Sequence, residues 1–412
     1  MKILLFTAFT LVSIGASAQK RDIENVKYHR SSIYSILLHH PDKLYDEEIT
    51  YVFDSIPMPD KYDNHNLNVR AVFGNTKGID EELIQEGIAE FLSRNYVGKR
   101  LLAKWFGRDK VTGVFDAKLL AERGVYDASY LDVTQARLSA RGKALLEDAG
   151  ENLIGHTYVL VNDISYVDKS NTSAVLGGIV AVGAATLSAR DAIKTGNVDQ
   201  KSEATELATQ AASSITAIAG FRVKVTSYLY SLEWNDTLAD AFYGKYYTDV
   251  PDREKKVLFD KEKELFKLNY VGNIEVASGN TTTRGVVRQE DMIRKVCARA
   301  IDKAVAMLQH KFESFRVKVP LHSIAPLTAK VGIKEEITEQ SRFEVLEAIQ
   351  DDEGRVRYKR VGVIKPVKGK IWDNQYMAEF EENQELFLLG ATEFEKVSGG
   401  DFYEGMLIRE IE

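Results

Sequence analysis

Hydrophobic positions change period along this chain, and the changes divide it. Residues 31–38 end in a short apolar run and read as a strand, broken by His39-His40-Pro41-Asp42. Residues 67–73 alternate apolar and polar and read as a second strand. A helical period follows. In 80–94, Leu83, Ile84, Ile88, Phe91 and Leu92 share one face, with acidic residues in the first turn where the helix dipole favours them. Residues 97–106 place Val97, Leu101, Leu102, Trp105 and Phe106 on a stripe, with Gly107 as the stop. Shorter or weaker helical patterns cover 115–123 and 132–154, the latter interrupted by Gly142 and Gly150.

Two segments dense in β-branched and aromatic residues, 157–166 and 221–234, are the strongest strand candidates and are expected to pair antiparallel in one sheet. Arg222, Lys224, Thr226 and Tyr228 would face outward on the second. Between them lies an insert, 169–220, whose composition suits a helical hairpin. Residues 174–187 are small and apolar, 194–200 form a turn, and 201–219 are rich in Ala, Thr and Ser. Residues 240–260 read as a charged, tyrosine-rich connection, and 266–277 as a return to the sheet. The long helix 289–312 carries Cys297 on its apolar stripe. From about residue 315 short apolar runs separated by turns dominate: 315–319, 327–331, 342–349, 358–366 and 408–411, with Asp351-Asp352-Glu353-Gly354 as a hairpin turn.

The fold class expected is therefore α+β. An α/β sandwich domain, residues 19–316, carries the insert and is followed by a small all-β, barrel-like domain, 317–412.

The N-terminus adds an address. Lys2, a twelve-residue apolar run from Ile3 to Ile14 and the small residues Gly15-Ala16-Ser17-Ala18 have the layout of a secretory signal peptide cleaved after Ala18. The run is short of the roughly 20 residues that span a bilayer. An exported chain with a single cysteine forms no internal disulfide, which fits a bacterial periplasm or an outer-membrane-associated site. The formal charge of −7 disfavours nucleic acid, whose binders neutralise phosphates.

Chemistry is harder to find. The sequence contains no Gly-x4-Gly-Lys-Ser/Thr loop, no Gly-x-Ser-x-Gly elbow and no His-Glu-x-x-His pair. No cofactor, metal site or catalytic residue is assigned. His39 and His40, adjacent in a strand, point to opposite faces and do not chelate one ion. Asp60, Asp63, Asn64 and Asn66 read as a solvated turn rather than a calcium loop. Glu47-Glu48, Glu335-Glu336 and Glu381-Glu382 read as solvated surface, His156 as a satisfied structural histidine, and Cys297 as a packed thiol.

The feature with most functional content is the insert. Val175, Leu176, Gly177, Gly178, Ile179, Val180, Val182, Gly183 and Leu187 make a small-residue apolar surface of the kind that lets helices approach closely. Its plainer reading is a helix buried on its partner. The reading that carries function is an interaction tip, meeting another copy, an envelope protein or the membrane surface.

The order of elements also carries a resemblance. Strand 67–73, segment 97–106, the segment Gly113-Val114-Phe115-Asp116-Ala117-Lys118-Leu119-Leu120-Ala121-Glu122-Arg123, a helix and Leu153-Ile154-Gly155-His156-Thr157-Tyr158-Val159-Leu160-Val161 follow one another. This resembles the α/β domain of bacterial envelope assembly proteins: the curli secretion channel, the penicillin-binding-protein activators and a flagellar T-ring protein. Residues 337–346 and 360–367 are similar to the small β module of the flagellar member. Asn162-Asp163 stands where that group has a glycine, and the insert has no counterpart. The texture is also similar to uncharacterised exported proteins of Bacteroides-type bacteria. The resemblance implies a scaffold or assembly factor without catalytic residues. The expectation is thus a non-enzymatic, exported envelope protein acting by protein–protein contact, possible as a homo-oligomer. The alternative is a hydrolase acting on an envelope polymer, which would need convergent carboxylates or a His with a buried Asp partner.

Overall fold

The computed structural model describes residues 29–73, 81–127, 150–167, 221–279, 289–350, 356–381 and 384–411. A mixed sheet has the order β2-β1-β4-β5-β6, with β3 also on β1. Strand β1 (Ser32–His39) runs parallel to β4 (Thr157–Tyr166) on one side. On its other side it meets β2 (Asp63–Asn64) and β3 (Ala71–Phe73), two parallel pieces of one interrupted partner. Strand β5 (Arg222–Leu232) is antiparallel to β4, as its composition predicts, and β6 (Leu268–Gly279) is antiparallel to β5.

Helices cover both faces. On one lie α1 (Asp46–Phe53) and the long α7 (Gln289–Lys311), packed on Ile33, Leu37, Leu160, Val223 and Val225. The other is covered by α2 (Glu81–Arg94), α3 (Val97–Trp105), α4 (Lys118–Asp127), α5 (Asp236–Lys245) and α6 (Arg253–Lys261). They pack on Tyr34, Ile36, Val159, Val161, Tyr228 and Tyr230. Double coverage makes central strands apolar on both sides. It also corrects one expectation: Tyr228 does not face outward but is 1 % exposed beneath the second helical layer. Leu83 departs the other way, solvent-exposed on α2 while Ile84, Ile88, Phe91 and Leu92 face the core.

Segment 240–260 is not a plain connection. It holds most of α5 and α6, each started by a side-chain cap. Asn235 Oδ1 accepts from the Leu238 amide at 3.0 Å, and Asp252 Oδ1 accepts from the Glu254 and Lys255 amides at 2.9 and 3.0 Å. Helix α6 buries only Phe259, so it leaves almost no hydrophobic period to read.

The C-terminal strands close into a barrel of order β10-β11-β8-β7-β12-β9. These are β7 (Val319–Ile324), β8 (Leu327–Ala329), β9 (Arg342–Gln350), β10 (Val356–Pro366), β11 (Thr392–Gly399) and β12 (Leu407–Ile411). Every pairing in it is antiparallel. Leu321, Ala329, Phe343, Val345, Ile364, Phe394 and Ile408 fill the interior, and closure leaves no open edge there. The expected α+β class, a sandwich domain followed by a small barrel, is the architecture found. The hairpin insert 169–220 lies outside the described residues, as do the turn 351–354 and most of the helix expected at 132–154.

Candidate functional site

The carboxyl ends of the parallel strands β1 and β4 lie at one edge of the sheet, where open α/β sheets place their binding crevices. Strand β5 begins at the same edge, because Tyr166 at the end of β4 pairs with Val223. The described residues stop after Val167 and resume at Phe221. The Val167 amide donates to the Arg222 carbonyl at 2.9 Å, so these two ends are tied together. Three rings brace this base: Tyr45 lies 4.7 Å from Tyr166 and 5.4 Å from Phe221, and Tyr166 lies 5.2 Å from Phe221. Tyr45 takes a left-handed backbone (φ 63°) just before α1, which turns its ring over the junction.

Beside this base the two histidines diverge, as adjacent strand residues must. The His39 ring faces α1, where Nδ1 sits 2.9 Å from Thr50 Oγ1 and contacts the Asp46 carboxylate. The His40 ring faces the other layer, its Nε2 3.0 Å from Asp163 Oδ1, and Lys43 Nζ reaches the same oxygen at 3.3 Å. Asp46 links the two histidines, since its Oδ1 accepts the His40 amide at 2.8 Å. Burial raises the Asp163 carboxyl, but the His40 hydrogen bond and the charges of Lys43 and His40 outweigh it, and the group sits below its ordinary range. A His with a carboxylate partner is the constellation named above for an enzyme. Here the imidazole is 1 % exposed, sealed beneath the edge rather than open to a polymer.

Sheet chemistry continues inward through a polar ladder across three strands. Asn162 Nδ2 donates to Ser35 Oγ at 3.1 Å, and Ser227 Oγ donates to Asn162 Oδ1 at 2.7 Å, all three side chains being buried. The ladder was not anticipated; its members are 65 and 127 residues apart in sequence.

The other residues singled out from the sequence are placed as follows. The candidate tip residues Val175, Leu176, Gly177, Gly178, Ile179, Val180, Val182, Gly183 and Leu187 lie outside the described residues. Cys297 is fully buried and its thiol is pushed up to about 12 by burial, an inert packing group. The 60–66 segment is not a solvated turn. Asp63 pairs with the buried Arg123 at 2.8 Å, Asn66 Oδ1 accepts the Ser35 amide at 2.9 Å, and Asp60 reaches Lys334 at 3.2 Å. Glu335 and Glu381 are not solvated surface either: each bridges the sandwich and the barrel, Glu335 to Lys61 and Glu381 to Lys295 and Arg299. Glu47 and Glu48 are exposed as expected. His156 is exposed at the end of a short helical turn. Among the described residues no three His, Cys, Asp or Glu side chains gather as a metal site, and no helix is long and apolar enough to cross a membrane.

One small cavity, about 30 Å³, lies where the sandwich meets the barrel, lined by Lys61, Gln309, His310, Glu335, Glu410 and apolar barrel residues. That is space for about one water molecule. Comparison with protein-family profiles and with curated proteins finds no match for this chain.

Proposed function

We propose that this protein is an exported, non-enzymatic envelope factor that works by protein–protein contact through the insert carried between β4 and β5. The observation that supports this reading most is the construction of the insert's base. The two strands that flank it are paired along nine residue pairs in the middle of the sheet, with helical layers on both faces. The base is closed by a backbone hydrogen bond and three packed rings. A fixed base lets a long excursion be presented without disturbing the core. The excursion's sequence, centred on Gly177-Gly178-Ile179-Val180, supplies a surface suited to close helix contact. The signal-peptide layout of residues 1–18 supports export, and the resemblance to envelope assembly proteins agrees with a scaffold role.

The His40–Asp163 pair is the observation on the side of a hydrolase acting on an envelope polymer. Its burial favours a positioning role within the sheet edge over contact with substrate.

The test uses the full chain in a bacterial envelope. A photo-crosslinking residue is placed at Ile179 and, as a control, at Lys110 on a loop of the sandwich domain. Contact through the insert gives discrete crosslinked species from position 179 and none from 110. Deletion of residues 173–219, closed by a short turn, removes that species' function while leaving the β4–β5 pair intact. Equal crosslinking at both positions, or a shortened protein that assembles and fractionates like the parent, overturns the proposal. Mass determination of the mature chain checks export, with Gln19 as the expected first residue.

A further inference from the structure

The sandwich and the barrel meet through an ionic cluster that draws on three separate parts of the chain. Asp302 comes from the middle of α7. Asp60 and Lys61 come from the loop after α1. Lys334 and Glu335 come from a short helical turn of the barrel, Ile333–Glu335. Lys334 Nζ stands between the two aspartates, 3.2 Å from Asp60 Oδ1 and 3.7 Å from Asp302 Oδ1. Glu335 pairs with Lys61, caps the Gly332 amide at 2.6 Å and accepts from Asn374 Nδ2 at 2.9 Å. Lys61, Asp302, Lys334 and Glu335 are all between 13 % and 16 % exposed, whereas Asp60 lies at the rim.

The charges do not balance when every group is ionised. Two lysines face three carboxylates. One carboxylate is surplus, and a surplus charge in a poorly hydrated joint is costly. Glu335 is fixed by Lys61, a backbone amide and an amide side chain, and Asp60 has water. Among the described residues Asp302 has only the longer contact to Lys334. With Asp302 neutral the joint holds two charges of each sign.

We infer that the joint between sandwich and barrel is a proton-operated clasp, closed while Asp302 carries a proton and loosened when Asp302 ionises.

Other titratable groups bear on the same joint and are distinct from Asp302. One side along α7, Lys295 and Arg299 hold Glu381 at 2.7 and 2.8 Å. On the other, His310 lies 3.5 Å from Glu410, beside Arg316, whose guanidinium is held by the Gln309, His310 and Glu410 carbonyls. Burial pushes the Asp302 carboxyl up to about 7, with Asp60 and Glu335 adding to the rise and Lys334 and Lys61 opposing it.

The sign follows from linkage. In an opened joint Asp302 is hydrated and titrates in the ordinary range, near 4. Opening therefore releases a proton between pH about 4 and 7, and the opening equilibrium rises by up to about tenfold per pH unit across that window. Above 7 it levels off.

Hydrogen exchange of the full-length mature protein, read by mass spectrometry from pH 5 to 8.5 and corrected for the intrinsic pH dependence of exchange, measures this opening. Peptides covering 57–63 and 330–337 are expected to lose protection as pH rises from 5 to 7, by at least tenfold in total, and then to plateau. Peptides from β4 and β9 should hold theirs. Asp302→Asn removes the slope. Lys334→Gln, which takes away the cation facing Asp302, moves the plateau to higher pH and tests the idea even if Asp302→Asn folds poorly. A flat wild-type profile overturns the inference. So does an Asp302→Asn protein that keeps the wild-type slope, because the responding proton would then belong to another group.

Discussion

His40 Nε2 lies 3.0 Å from Asp163 Oδ1, joining the strand end of β1 to its parallel neighbour β4 at the edge from which the insert departs. The contact is nearly sealed from water on the histidine side and is supplemented by Lys43. It adds a side-chain tie to the backbone ladder that pairs Leu38 with Asp163.

Removing the carboxylate tests that role. Asp163→Ala takes the carboxylate away from a buried imidazole and is expected to cost about 1–3 kcal/mol at pH 7. Asp163→Asn, which keeps the shape and one acceptor, should cost less. Because the folded-state pKa of Asp163 is lowered, its contribution is complete above the ordinary carboxylate range and disappears as pH falls through the lowered value. Wild type should therefore lose more stability between pH 5 and 3 than Asp163→Asn does. Urea unfolding at pH 7, 5 and 3 measures both effects, and equal stability of all three proteins at pH 7 contradicts the assignment.

The Ser35–Asn162–Ser227 ladder makes a different prediction, since its value lies in mutual satisfaction. Asn162→Val takes the partner from two buried hydroxyls and one donor from the Ile36 carbonyl, to which Asn162 Nδ2 also donates at 3.3 Å. The expected cost is about 2–4 kcal/mol. Adding Ser35→Ala and Ser227→Ala to that variant should recover about 1 kcal/mol or more, because unsatisfied groups are removed. Strictly additive losses would show that the three side chains do not act as a unit.

These contacts mark the limit of what the sequence disclosed. Strands β4 and β5 were legible because their β-branched and aromatic residues crowd together, and α3 because its stripe is regular. Helix α6 was illegible because a helix that buries one phenylalanine has no period to detect. The pairing of His40 with Asp163 spans 123 residues and exists only once the sheet has formed. One signal was present: Asn162-Asp163 places two polar residues inside a strong strand. Asn162 proved to be the centre of the ladder and Asp163 the partner of His40. The roles of Glu335 and Glu381 were hidden for a similar reason, because a charged pair in sequence looks the same whether it faces solvent or a second domain.

Cys297 gives a prediction of silence. A fully buried thiol pushed up to about 12 presents almost no thiolate at pH 8. A thiol-specific disulfide reagent should leave the native protein unmodified over hours and label one group per chain once urea unfolds it. Rapid labelling in native buffer would show that α7 opens from the sheet far more readily than its packing implies.

Two helical glycines should respond to the same substitution with opposite signs. Alanine normally favours a helix over glycine by about 1 kcal/mol. At Gly87, exposed on α2, an added Cβ meets nothing within 4 Å, so Gly87→Ala should stabilise by up to about that amount. At Gly98 in α3 the same atom would lie 2.5 Å from the Phe266 carbonyl oxygen and 3.1 Å from its carbon. That backbone cannot easily retreat, because the Lys267 carbonyl accepts the Glu233 amide at 3.0 Å and Leu268 opens β6 in register with Leu232. Close contact of this kind forces a shift of helix or strand, and overpacking costs typically about 1–3 kcal/mol. Gly98→Ala is therefore expected to destabilise despite its better propensity. Thermal unfolding of the two variants side by side decides the matter, and a rise in midpoint for both would mean that α3 does not press against the start of β6.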